Sequence, residues 1–151
     1  MPIQRTLVLL KPDAVQRSLI GEILSRFERK GLIAVGMKLI KPAKDLADQH
    51  YHEHAQRPFY PGLITFITSG PIVALALEGD EAIAVVRNLV GPTDGRKAAP
   101  GTIRGDFGIS RSSNLVHGSD SPEAAERELK IWFPEGLLGW SRCDKPWLDS
   151  E

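Results

Sequence analysis

The chain has 151 residues, with nineteen Lys and Arg balancing nineteen Asp and Glu. A length within about 100–200 residues fits one domain, residues 1–151, and the zero net charge offers no field to draw the chain onto nucleic acid or an anionic membrane. The single cysteine, Cys143, excludes an internal disulfide framework and suits a reducing compartment, so the cytosol is expected.

The N-terminal apolar run, Thr6–Leu10, reads as a buried strand ended by Lys11-Pro12-Asp13, too short for a signal segment or a membrane span. Leu19, Ile23, Leu24 and Phe27 recur at helical spacing, and Gly31 stands where a left-handed cap would close the helix. Leu32–Ile40 alternates as a second strand and stops at Lys41-Pro42. Asp45–Gln56 and Leu63–Thr68 read as two short helices around the bend "RPFYPG".

"GPIVALALEG" is the most strand-like segment, and Asp80–Leu89 is a helix. Gly91–Arg111 is a long loop rich in Gly, Pro and charge, the kind that carries function in a compact domain. Asn114–Val116 reads as a short strand leading into His117. Ser121 is a natural N-cap and Pro122 suits the first helical position, with Ala125, Leu129 and Trp132 forming a buried stripe and Glu128 on its more polar edge. Without the extra helices the order is βαββαβ. The expected fold is α+β and ferredoxin-like, a four-stranded antiparallel sheet with helices on one face; a doubly wound parallel sheet is the alternative.

In a strand–turn–helix unit His117 and Glu128 can meet, giving a histidine oriented by a carboxylate. With an ordinary pKa of about 6.5, such a ring keeps a nucleophilic lone pair near neutral pH. On spacing alone it could equally be a structural histidine satisfied by Ser119 or Glu128. Lys11, Arg87 and Arg104 are cations that could converge on a polyphosphate. "GPTDGRK" is no Walker sequence, and no Rossmann glycine fingerprint occurs. "HYHEH" sets His50 and His54 four apart, as zinc ligands on a helix would be, but no further cysteine or carboxylate cluster completes a site, so no protein-held metal is expected. A nucleic-acid-binding regulator and an oligomeric scaffold are the other classes such a fold serves.

"NLVHGSDS" resembles the active-site signature of nucleoside diphosphate kinases. "LVLLKPDAVQRSLIGEI", "HYHEHAQRPFYPGLITFITSGPIVALALEG", "VVRNLVGPTDGRKAAPGTIRGDF" and the tail around Cys143 and Trp147 resemble the same family in the same order. Ala14, "TDGRKAAP" and Pro122 depart from its pattern without touching a matched nucleotide-site residue.

The resemblance implies a ping-pong transfer in which His117 takes the γ-phosphate of a nucleoside triphosphate, mainly ATP, and passes it to a nucleoside diphosphate such as GDP. It implies nucleotide contacts from Lys11, Tyr51, Phe59, Arg87, Thr93, Arg104 and Asn114, with Phe59 stacking on the base and Glu128 and Ser119 orienting His117. Lys11 and Tyr51 stand with the catalytic set. Mg²⁺ is expected as cofactor, carried in on the nucleotide phosphates. The loop and tail resemble those of hexameric members, so a homohexamer is expected over a tetramer, with no membrane and no dedicated nucleic-acid partner.

Overall fold

The computed structural model describes residues 3–148. β1 (Ile3–Leu10) is the strand on which the rest is built. Leu7, Val8, Leu9 and Leu10 are all fully buried, which an alternating strand achieves only when both of its faces are covered.

The chain continues through α1 (Pro12–Gln16), α2 (Ile20–Lys30) and β2 (Ile33–Ile40), then α3 (Lys44–His50), α4 (Tyr60–Ile67) and β3 (Ile72–Asp80). α5 (Ala82–Val90), α6 (Ile103–Phe107), β4 (Val116–Gly118) and α7 (Pro122–Trp132) complete it, with 3₁₀ turns at His52–His54, Gly95–Lys97 and Lys145–Trp147. The strand order is β2-β3-β1-β4 and all three pairings are antiparallel, which confirms the ferredoxin-like α+β expectation and excludes the parallel alternative.

Helices cover both faces of the sheet, correcting the expectation of one. Val8, Leu10, Val73 and Leu75 pack with Ile23 and Phe27 of α2 and Val86 of α5. Leu7, Leu9, Ala74 and Ala76 pack on the other side with Ala47 of α3, Ile64 and Ile67 of α4 and Trp132 of α7. The crossover helices α2 and α5 fill one layer, and the added α3–α4 pair with α7 fills the second.

α2 ends as anticipated at Gly31, φ 107°, where the amides of Gly31 and Leu32 return to the carbonyls of Glu28 and Phe27. Ser121 accepts a hydrogen bond from the Ala124 amide and Pro122 opens α7, also as the sequence indicated. The long loop is less open than its composition suggested, because it holds α6, capped by Thr102, whose hydroxyl accepts from the Gly105 amide. No helix among the described residues is long and apolar enough to cross a membrane.

Two glycines give opposite expectations. A Cβ at Gly105 would lie 1.9 Å from the Ala99 carbonyl oxygen, so Gly105→Ala must displace backbone and lower stability by about 3 kcal/mol or more. Gly21, inside α2, has nothing within 4 Å, so Gly21→Ala should raise stability by about 0.5–1 kcal/mol. Denaturant unfolding of the two variants against the parent chain checks both signs.

Candidate active site

The site begins with a backbone constraint. Leu115 is fully buried yet adopts φ 73°, a left-handed conformation that costs a leucine about 1–2 kcal/mol. It is held at both ends by the turn after β1: its amide donates to Asp13 Oδ2 (3.0 Å) and its carbonyl accepts from the Lys11 amide (2.8 Å). Because the chain is bent at Leu115, it joins the sheet only at Val116. His117 therefore lies inside β4, opposite Leu9, and not beyond the end of a strand over 114–116 as the sequence suggested.

From there the histidine meets α7. His117 Nε2 lies 2.9 Å from Glu128 Oε1, and the same oxygen accepts from the Ser119 hydroxyl at 2.7 Å. Ser119 is itself set by β1, since its Oγ accepts from the Leu7 amide at 3.2 Å. Glu128 is buried, 5 % exposed, which corrects its assignment to a polar helix edge. Burial opposes its ionisation, but the hydrogen bond and charge of His117, the Ser119 bond and the Arg127 charge outweigh that, leaving its pKa below the ordinary value. An ionised Glu128 accepts, so the His117 proton sits on Nε2 and Nδ1 keeps the lone pair.

His117 lines a cleft of about 980 Å³ with Lys11, Tyr51, Phe59, Thr93 and Asn114, so six of the expected residues share one cavity. Lys11 Nζ donates to Asn114 Oδ1 at 2.7 Å, and Asn114 Nδ2 donates to the carbonyls of Thr93 and Arg111. Burial, aided by the Arg104 charge and opposed by Asp13, pulls the Lys11 pKa down to about 8. Tyr51 is buried and its phenol is pushed above its ordinary pKa by that burial and by Glu128, so it enters the site as a neutral hydroxyl. Phe59, at the start of α4, is 54 % exposed and lines the cleft with its ring 5.5 Å from that of His54.

Arg87 and Arg104 are not among the residues that line this cleft. Arg87 donates to the Gly118 carbonyl at 3.3 Å. Arg104, 6 % exposed, donates to the carbonyls of Asn114, Gly91 and Val116 at 3.1, 3.0 and 2.6 Å. The Gly91 bond closes the long loop on itself, those to Asn114 and Val116 tie it to the bend and to the strand that carries His117, and the three leave two of the five guanidinium N–H groups for other acceptors. Burial, with the Arg87 charge adding to it, lowers the Arg104 pKa to about 10, so it stays cationic at neutral pH.

Sequence reasoning did not pick out Asp13, although it lay within the quoted Lys-Pro-Asp segment, nor Arg111, Ser112 and Ser113 on the cleft wall. His50 and His54 do not share a helix face, because α3 stops at His50 and a 3₁₀ turn follows. His50 instead lies with His117 and Glu128, their ligand atoms within 4.8 Å of one another. A Mg²⁺ ion prefers oxygen ligands, and both oxygens of Glu128 already face partners, His117 and Ser119 at one and Arg127 at the other; this donor set does not suit a protein-held Mg²⁺.

Residues 4–137 match the family described as nucleoside diphosphate kinase. A nucleoside diphosphate kinase of Trichormus variabilis is 52% identical over 147 residues, which is 97% of this chain and 99% of that protein. One from a Nocardioides species is 65% identical over 130 residues, 86% of this chain and 96% of its own. The solved structure of a halophilic nucleoside diphosphate kinase from Halobacterium salinarum, in complex with CDP, superposes with a TM-score of 0.95 at 47% identity, covering 99% of this chain and 100% of that one.

The lowered Lys11 pKa makes anion binding pH-dependent. An anion beside Nζ favours the ammonium and raises its pKa, so binding takes up a proton between about pH 8 and the ordinary value of 10.5, and affinity falls as pH rises through that window. Calorimetry of sulfate binding at about pH 8.5, inside that window and far from any ionisation of the ligand, in buffers of differing ionisation enthalpy, should report this uptake, and Lys11→Arg should abolish it because Arg stays charged.

Proposed function

The chain belongs to the nucleoside diphosphate kinase family and is an enzyme of it, and on that premise we propose that it moves the γ-phosphoryl group from a nucleoside triphosphate, mainly ATP, to nucleoside diphosphates through a phosphohistidine at His117. The observation that carries this reading is the His117–Glu128 contact of 2.9 Å on the wall of a cleft lined by Lys11, Asn114 and Phe59.

In the first half-reaction the Nδ1 lone pair of His117 attacks the γ-phosphorus, and the bond to the β,γ-bridging oxygen breaks. Its electron pair leaves with the nucleoside diphosphate. The ring keeps its Nε2 proton and becomes cationic, and the Glu128 carboxylate opposite that proton stabilises the new charge. A second diphosphate then takes the phosphoryl group by the reverse displacement. Splitting the transfer means that donor and acceptor use one cleft in turn and never meet, so two polyanions need not be held together.

Lys11 and Asn114, joined at 2.7 Å, are assigned to the ribose hydroxyl and phosphate. Arg87, Arg104 and Thr93 are assigned to the β-phosphate and to the moving phosphoryl group, where spread negative charge calls for fixed cations. The neutral Tyr51 hydroxyl can donate to a phosphate oxygen. Mg²⁺ arrives as part of the nucleotide substrate. Phe59 offers one exposed ring for stacking, which every base satisfies, so base selectivity is weak. The halophilic relative solved with CDP supports a nucleoside diphosphate in this cleft.

The reading extends to the whole chain, residues 1–151, as one catalytic unit working in the cytosol as a homohexamer. Support for assembly comes from the edge strand β2, which exposes Met37 (57 %) and Leu39 (63 %), and from Ile109 (79 %) on the loop.

Incubation with Mg²⁺ and γ-labelled ATP, without acceptor, should leave acid-labile, base-stable label on the protein that moves to GTP when GDP is added. His117→Ala should take no label; label retained in that variant would defeat the reading. Glu128→Gln should keep the fold and slow labelling by about 10²–10³-fold, since the stabilised cation loses its counter-charge.

A further inference from the structure

One buried titratable group near the cleft has no part in the chemistry above. His50, the last residue of α3, is 4 % exposed, and its ring stands 4.7 Å from that of His117 at an interplanar angle of 86°. The fully buried Trp132 of α7 donates its indole N–H to His50 Nδ1 at 3.0 Å. We propose that His50 is a positioning residue for His117: it fills one flank of the reacting ring and fixes its plane, while Glu128 fixes its Nε2. The inference rests on the phosphohistidine reading of the same site.

A hydrogen bond to one nitrogen leaves an imidazole free to swing about that bond. With Glu128 holding Nε2, rotation of the His117 ring would carry Nδ1 out of line with an incoming phosphorus, and positioning, with electrostatic stabilisation, is what accelerates this kind of transfer. The edge-to-face contact with His50 closes that rotation. His50 cannot give way, because Trp132 holds it at Nδ1 and the Tyr51 ring packs against it at 4.6 Å, at 79°.

The same bond argues against a metal among His50, His117 and Glu128. Nδ1 of His50 already accepts a hydrogen bond from Trp132, so in the neutral ring the proton sits on Nε2. A metal at Nε2 would have to displace it and leave an imidazolate with both nitrogens engaged. Geometry thus makes His50 a wedge and not a ligand. The groups that face it are His117 on β4, Trp132, Arg127 and Glu128 on α7, Lys11 after β1, and Tyr51 and His54 in its own following turn. Burial first, and then the charges of His117, Arg127, Lys11 and His54, hold the His50 pKa well below its ordinary value. A neutral wedge adds no charge beside the cationic phosphohistidine ring.

Two variants separate the flank from the bond. His50→Asn keeps an acceptor for Trp132 but removes the ring; His50→Phe keeps a ring but not the acceptor. Single-turnover labelling of His117 by γ-labelled Mg-ATP, nucleotide KM and melting temperature are measured for the wild type and both. The expected result is a labelling rate about 10–100-fold lower in His50→Asn with KM within about threefold of wild type, and recovery to within about fivefold of wild type in His50→Phe despite lower melting. A folded His50→Asn that labels within about fivefold of wild type overturns the proposal, as does a folded His50→Phe no faster than His50→Asn. If His50→Asn does not fold, His50→Phe decides alone: labelling within about fivefold of wild type upholds the wedge, and a larger loss overturns it. Absence of label on the wild type would defeat the phosphohistidine reading itself, a result distinct from all of these.

Discussion

The site depends on holding Leu115 where a leucine does not settle by itself. Its left-handed φ of 73° is secured by the Asp13 carboxylate on its amide and the Lys11 amide on its carbonyl. Two hydrogen bonds from one turn offset a local cost of about 1–2 kcal/mol. The bend aims Asn114 back at Lys11, and β4 then starts at Val116 with His117 opposite Leu9. His117 takes the face of its partner Leu9, the one α7 covers, and the bend lets Leu115 join its neighbour Val116 in the opposite layer, where strict alternation would have kept the two apart.

Around that bend the groups form one connected set. β1 places Ser119 through the Leu7 amide, Ser119 and His117 share Glu128 Oε1, and α7 contributes both Glu128 and the Trp132 that restrains His50. Arg104 fastens the loop after α5 at its start through the Gly91 carbonyl, and to the bend and to β4 through those of Asn114 and Val116. Pairs that could each swivel alone become fixed once every one is tied to β1, the strand buried on both faces. Preorganisation of this kind lowers a barrier because the dipoles are in place before charge develops.

Much of this is legible in the sequence where the signal is local. The apolar run of β1, the Gly31 cap and the Ser121-Pro122 start of α7 can be read directly because each rests on neighbours in the chain. The tie from Asp13 to Leu115 joins residues 102 apart, and no periodicity announces it. Glu128 looks like surface because a carboxylate in a helix usually is; its burial is offset by His117 and Ser119, which lie 11 and 9 residues away and on another element. "HYHEH" misleads through its spacing, since i,i+4 means a shared face only while the helix lasts, and α3 ends at His50. The short α1 and α6, five residues each, carry too little pattern to stand out from turns.

The two walls of the cleft differ in how firmly they belong to the fold. His117 sits on the edge strand β4 but is paired with β1, whose amides are sealed under two helical layers and exchange with solvent only when the whole domain opens. The stretch from His52 to Gly62, which carries Phe59, is exposed along most of its length and is secured by single-turn hydrogen bonds such as Arg57 to His54 and Tyr60 to Arg57. Opening there exposes little apolar surface and costs correspondingly little free energy. The proposed reacting ring therefore leans on the most deeply sealed strand, β1, while the proposed base contact lies on a loosely held segment, so nucleosides of different size could pass the entrance without loosening that ring.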